Sequence, residues 1–136
     1  MITQDLSWML EDVVANVRGA RHAVLLSADG LSRGSTAGMS PDMADTISAA
    51  MSGMQSLSRA TAHFAGPEDG AKWKQTVIEF SHGWIFLIAA GSGAYLAVAA
   101  APDTDMQEIT FRMHQLVSRL GKDHLTTPPR EMADNK

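Results

Sequence analysis

The stretch from Trp84 to Ala101 is the most restrictive part of this chain. Apart from Tyr95 and the Gly91-Ser92-Gly93 triplet, it is wholly aliphatic or aromatic. A helix needs about twenty unbroken apolar residues to cross a bilayer. Here the triplet leaves halves of only seven and eight residues, WIFLIAA and AYLAVAAA. They read as two strands around a tight turn. Each is apolar at odd and even positions alike, so each needs cover on both faces of its sheet. The chain must therefore supply helices for two sides.

The helices are found around those strands. Leu6, Met9, Leu10, Val13, Val14 and Val17 repeat at helical spacing, and Gly19 is a natural stop. Ser40-Pro41 opens a second helix, since serine can accept from free N–H groups and proline at the first position has none to leave unpaired. That helix runs to about His63, with Met43, Ile47, Ala50, Met51, Met54, Leu57 and Thr61 on one side. Beside them runs a stripe of small residues, Ala49, Gly53, Ser56 and Ala60, suited to close approach by another backbone. A third side carries Ser48, Ser52, Gln55 and Arg59, a docking face or an ordinary solvated one. A last helix, capped by Asp103, has Met106, Ile109, Met113, Leu116, Val117 and Leu120 inward.

Shorter strands complete the set. His22 to Ser27 is apolar, Asp29-Gly30 signals a two-residue turn, and Leu31 to Ser35 returns as a weaker edge strand. Ala65 to Ala71 is a loop. Trp73 to Phe80 alternates, with Trp73, Gln75, Val77 and Glu79 opposing Lys74, Thr76, Ile78 and Phe80. The order is αββαβββα, an α+β architecture of antiparallel hairpins and long helices. One domain spans residues 1–123, and residues 124–136, with two prolines and no periodicity, read as a disordered tail.

Composition excludes several functions. With no cysteine among 136 residues, disulfides and thiolate metal sites are impossible. The net charge is −4 and the eleven Lys and Arg are scattered, which argues against nucleic acid as a partner. Asp5, Glu11 and Asp12 break any signal-peptide pattern, so a cytoplasmic protein without stable membrane insertion is expected. Gly30-Leu31-Ser32-Arg33-Gly34 matches a hydrolase nucleophile string, but it spans a hairpin rather than a strand-to-helix elbow. Gly91-Ser92-Gly93 lacks the following helix that a phosphate cradle needs. His22, His63, His82, His114 and His124 show no i, i+4 ligand pair. No enzymatic activity, catalytic residue, cofactor or metal is expected.

Three strings, VRGARHAVLLSADGL, MSPDMAD through SGMQSLSRAT, and GWIFLIAAGSGAYLAV, resemble the roadblock / dynein-light-chain family over about residues 5–123. The subgroup they look most like is bacterial and encoded with a sensor kinase and a Ras-like GTPase. The resemblance implies a five-stranded antiparallel sheet with helices on both faces, the second on one and the first and last on the other. It also implies a homodimer in which the third strand pairs with its own copy and the second helices lie side by side. Dimer contacts would then be Ala49, Gly53, Ser56 and Ala60 with Trp73, Gln75, Thr76, Val77, Ile78 and Glu79. Ser48, Ser52, Gln55 and Arg59 would meet a small Ras-like GTPase. A sensor histidine kinase is a further candidate partner, and membrane contact would come only through partners. A small-molecule sensing module and a dimerisation scaffold without a GTPase are the alternatives.

Overall fold

The computed structural model describes residues 6–66, 71–91 and 93–121. The two apolar runs form β4 (Gly83–Ala89) and β5 (Ala94–Ala100), paired antiparallel with Phe86 opposite Val98 and Leu87 opposite Ala97. Gly91 and Gly93 both take positive φ in the turn between them. β3 (Gln75–Phe80) pairs with the other side of β4, and β1 (Ala20–Ser27) with the other side of β5. β2 (Ser32–Ser35) lies outside β1, giving one antiparallel sheet in the order β2-β1-β5-β4-β3.

Two helices cover one face. These are α1 (Ser7–Asn16) and α4 (Met106–Leu120), which bury Met9, Leu10, Val13, Ile109, Met113, Leu116 and Leu120 against Leu25, Phe86, Ile88, Leu96 and Val98. α2 (Pro41–Ala60) covers the other face, over Val24, Leu26, Leu87 and Ala97. The α+β architecture expected from sequence is thus present, with helices on both sides of five antiparallel strands.

Several local expectations are corrected. The cap of α4 is Asp105, whose carboxylate accepts from the backbone N–H groups of Gln107 and Glu108 at 2.9 and 3.3 Å. Asp103 instead meets Arg18 at 3.1 Å in an exposed ion pair, and Met106 is largely exposed. The second helix stops at Ala60, where Thr61 leaves helical geometry, and a four-residue helix α3 (Ala62–Ala65) follows. The β1–β2 connection takes Ala28 to Leu31 rather than two residues, because Ser27 closes it through its N–H to the Leu31 carbonyl at 2.9 Å. Gly30 sits in it at φ +88°, a backbone conformation open mainly to glycine. β2 then carries a bulge, since Leu25 faces Gly34 while Leu26 faces Ser32. A short bulged strand makes a poor template for further pairing. The expected tail, residues 124–136, lies outside the described residues.

Candidate functional site

The distinctive surface of the molecule is built from α2 and β3. Ser40 starts α2 by accepting from the Met43 N–H at 3.1 Å, and Pro41 occupies the first turn. Which side of the helix then turns inward is the main departure from expectation. Ala44, Ser48, Met51 and Gln55, at spacings of four, three and four, are the buried residues. Ser48 is 0% exposed and Gln55 6%. Ser52, half-buried, donates its hydroxyl to the Ala28 carbonyl at 2.7 Å. Three of the four residues expected to meet a GTPase therefore face this chain's own sheet and hairpin, and only Arg59 is exposed. The β1–β2 turn packs beside this part of the helix, where a Cβ on Gly30 would stand in ordinary contact, 3.5 Å, with the Ala49 Cα.

The helix's apolar side is consequently turned outward. Met43, Ile47, Ala50, Met54, Leu57 and Thr61 follow a 4-3-4-3-4 spacing along one flank of α2. Met43 is 49% exposed, Met54 41% and Leu57 68%, and Phe64 on α3 is 97% exposed. Of the side expected to line the core, only Met51 is buried, with Ile47 half-buried. The small-residue stripe, Ala49, Gly53, Ser56 and Ala60, points away from the sheet. All four are exposed, and a Cβ at Gly53 would meet nothing within 4 Å.

β3 borders the same surface. It pairs with β4 on one side and, among the described residues, with no strand on the other. Gln75, Val77, Glu79 and Phe80 are exposed, while Thr76 and Ile78 are half-buried. Thr76 is tied to α2 through its hydroxyl, which donates to Ser58 Oγ at 2.8 Å and accepts from Trp73 Nε1 at 2.8 Å. Trp73 precedes the strand and packs edge-on against Tyr95 at 5.8 Å. It therefore belongs to the α2 face and breaks the alternation expected from Trp73 onward.

Between the α2 flank and this edge the sheet is incompletely covered. A recess of about 100 Å³ is lined by His22, Met39, Met43, Ile47, Ile85 and Ala99. Ile85 and Ala99 also line an adjoining recess of about 220 Å³ that reaches Phe80 and Trp84. The two form an apolar floor beside the exposed seam. At the other end of α2 an open cleft of about 530 Å³ is bordered by Ser58, Arg59, Lys72, Trp73 and Thr76.

Chemistry-bearing motifs find no context. Ser32 lies in β2, not on a strand-to-helix elbow. His63, His82 and His114 are exposed, and His124 and Ser92 lie outside the described residues. His22 is half-buried, its Nδ1 without a hydrogen-bond partner. Among the described residues no three His, Asp or Glu side chains could share a metal ion, and no helix is long and apolar enough to cross a membrane.

The exposed role of Phe64 and Phe80 was not read from sequence. A signal existed in the seam itself. Two apolar positions per heptad make the narrow stripe of helix-to-helix packing, whereas a helix lying on a core carries a broader one.

Comparison with known proteins places the whole arrangement. The Roadblock/LC7 domain model matches residues 6–100. A Roadblock/LC7 domain from Streptomyces avermitilis is 36% identical, with a TM-score of 0.84 over 91% of this chain and 100% of that one. Myxococcus xanthus MglB is 14% identical, with a TM-score of 0.75 over 86% of this chain and 92% of that one. The gliding protein MglB of Thermus thermophilus is 18% identical, with a TM-score of 0.71 over 85% and 84%. No curated protein matches the sequence.

Proposed function

The chain belongs to the Roadblock/LC7 domain family, and from that premise we propose that it is a non-catalytic, homodimeric regulator or adaptor that binds a small Ras-like GTPase in bacterial signalling. The observation that carries this reading is the exposed apolar flank of α2 beside the open edge of β3. Soluble domains seldom leave large apolar side chains grouped on one surface unless a protein covers them. An open strand edge likewise invites pairing. MglB, which shares the fold, has been solved in a tetrameric arrangement. Self-association would use the edge strand and the seam. The outward face of α2, with Ala49, Gly53, Ser56 and the exposed Arg59, would then stand on a shallow platform built from two copies. Arg is favoured at such contacts because its planar head makes several directed bonds. Any influence on nucleotide hydrolysis would come from positioning the GTPase's own loops. The protein would work in the cytoplasm, reach membranes only through partners, and have a sensor histidine kinase as a further partner.

The test is co-elution with a purified Ras-like GTPase encoded in the same genome, loaded with GDP or a GTP analogue. Binding in one nucleotide state, weakened about tenfold (~1.4 kcal/mol) by Arg59→Glu without loss of the dimer, is the expected result. Failure to co-elute in either state would refute GTPase binding. The second reading, small-molecule sensing, rests on the cleft beside Arg59 and Lys72, whose volume of about 530 Å³ is that of a ligand site.

A further inference from the structure

The cleft at the C-terminal end of α2 gathers hydrogen-bond donors and positive charge without a matching acceptor. An indole N–H can only donate. The Thr76 hydroxyl oxygen therefore accepts from Trp73 Nε1 at 2.8 Å and passes its own hydrogen to Ser58 Oγ, also at 2.8 Å. The Ser58 hydroxyl keeps a hydrogen that meets no protein acceptor among the described residues. Arg59 and Lys72 border the same cleft, and both are exposed. The ion pairs among the described residues join Arg18 to Asp103 and Arg119 to Asp12, so neither Arg59 nor Lys72 has a carboxylate partner there. No Asp or Glu is among the described residues that line the cleft. We infer that it binds a small organic oxyanion, a phosphate or a carboxylate, whose oxygens are taken by Arg59, Lys72 and the Ser58 hydroxyl while its body lies along Trp73. This rests on the small-molecule reading of the cleft and names the chemistry of the ligand.

The surroundings suit that occupant. Hydrogen bonds from cationic donors to an oxyanion are stronger than those between neutral groups, and a guanidinium can grip two oxygens at once. The last carbonyls of a helix would oppose an anion. Here the Ser58 carbonyl is already engaged, accepting from the Thr61 N–H at 3.0 Å and the Thr61 hydroxyl at 2.6 Å. Trp73 is held at its N–H by Thr76 and at its ring by Tyr95, 5.8 Å away and edge-on. That wall is set before a ligand arrives, so little ordering opposes binding along it. The volume of about 530 Å³ is that of an organic molecule and far exceeds a bare phosphate. Because the cleft is open to solvent, each cation contributes severalfold to affinity rather than orders of magnitude.

Calorimetric titration of the full chain at about 0.1 M salt tests this with AMP, benzoate, adenosine and inorganic phosphate as probes. AMP carries a ring and a phosphate, benzoate a ring and a carboxylate, adenosine the ring without the charge, and inorganic phosphate the charge without the body. AMP or benzoate should bind with a Kd below about 1 mM, and the one that binds tells phosphate from carboxylate. Adenosine and inorganic phosphate should bind at least about tenfold more weakly. Arg59→Gln, Lys72→Gln and Ser58→Ala should each weaken the binding about threefold or more, whereas Arg112→Gln on α4, across the sheet, should not. Adenosine binding as tightly as AMP would leave the cleft a ligand site and overturn the oxyanion. Inorganic phosphate binding as tightly as AMP would overturn the organic ligand. Binding that survives the substitutions at Arg59, Lys72 and Ser58 lies elsewhere and also overturns the inference. Silence from AMP and benzoate overturns it too, and silence from all the probes takes the small-molecule reading with it, while GTPase binding is decided separately by co-elution.

Discussion

The two faces of the sheet are finished to different degrees. Among the described residues, eighteen buried hydrophobic residues close the face under α1 and α4, against seven under α2. On the first face, helices present their apolar sides to the sheet, and the large side chains Phe86, Leu10, Ile109 and Met113 are fully enclosed. On the second, a helix of twenty residues lays a serine, a glutamine, an alanine and a single methionine on the strands, and holds its other methionines and Leu57 out in solvent. Folding alone completes one face. The other buries the Ser48 hydroxyl without a hydrogen-bond partner, at a cost of roughly 1–3 kcal/mol, and keeps Met43, Met54 and Leu57 exposed.

This contrast can be broken by truncation. Phe86→Ala should destabilise the protein by about 3–5 kcal/mol, since a fully enclosed ring leaves a cavity that its neighbours cannot fill. Met51→Ala, on the α2 face, should cost about 2 kcal/mol, the low end for a buried methionine, because the smaller buried cluster on that face can relax into the gap. Urea denaturation at one fixed protein concentration measures both, the concentration held constant because association adds to apparent stability. Equal losses would mean that the two faces are equally well packed.

A smaller effect sharpens the account of the better-packed face. Asp105→Ala should lower stability by about 1 kcal/mol through loss of the α4 cap. Asp103→Ala should change it by less than about 0.5 kcal/mol, because its ion pair with Arg18 is exposed on both sides. Thermal melts of the two variants distinguish them, and the reverse ranking would return the cap to Asp103.

The same contrast explains what could be read from sequence. Strands apolar at every position, a Ser-Pro helix start and the periodic inner face of α4 all follow from burial on the completed side or from local backbone chemistry, and these were legible. The orientation of α2 was not. Periodicity shows which residues share a side, but it does not show whether that side meets the chain's own sheet or another molecule. Only the fold shows that Ser48 and Gln55 go inward while Met54 and Leu57 stay out. The position of Trp73 was hidden for a similar reason. Its alternation with Gln75 and Val77 presumes a strand that begins only at Gln75, and its pairing with Tyr95 is a tertiary contact. Asp103 and Asp105 are both plausible caps in one dimension. The ion pair with Arg18, far away in sequence, separates them.

The central claim is that the apolar flank of α2 is an interface rather than part of the chain's own core. Light scattering of the wild-type protein and Leu57→Asp, side by side at about 10 μM, a concentration at which micromolar association is visible, tests it most directly. The account predicts a dimer for the wild type, and for Leu57→Asp a folded monomer with unchanged helix content, because Leu57 touches little of its own subunit. A monomeric wild type, or a Leu57→Asp protein that unfolds or remains fully dimeric, would contradict it.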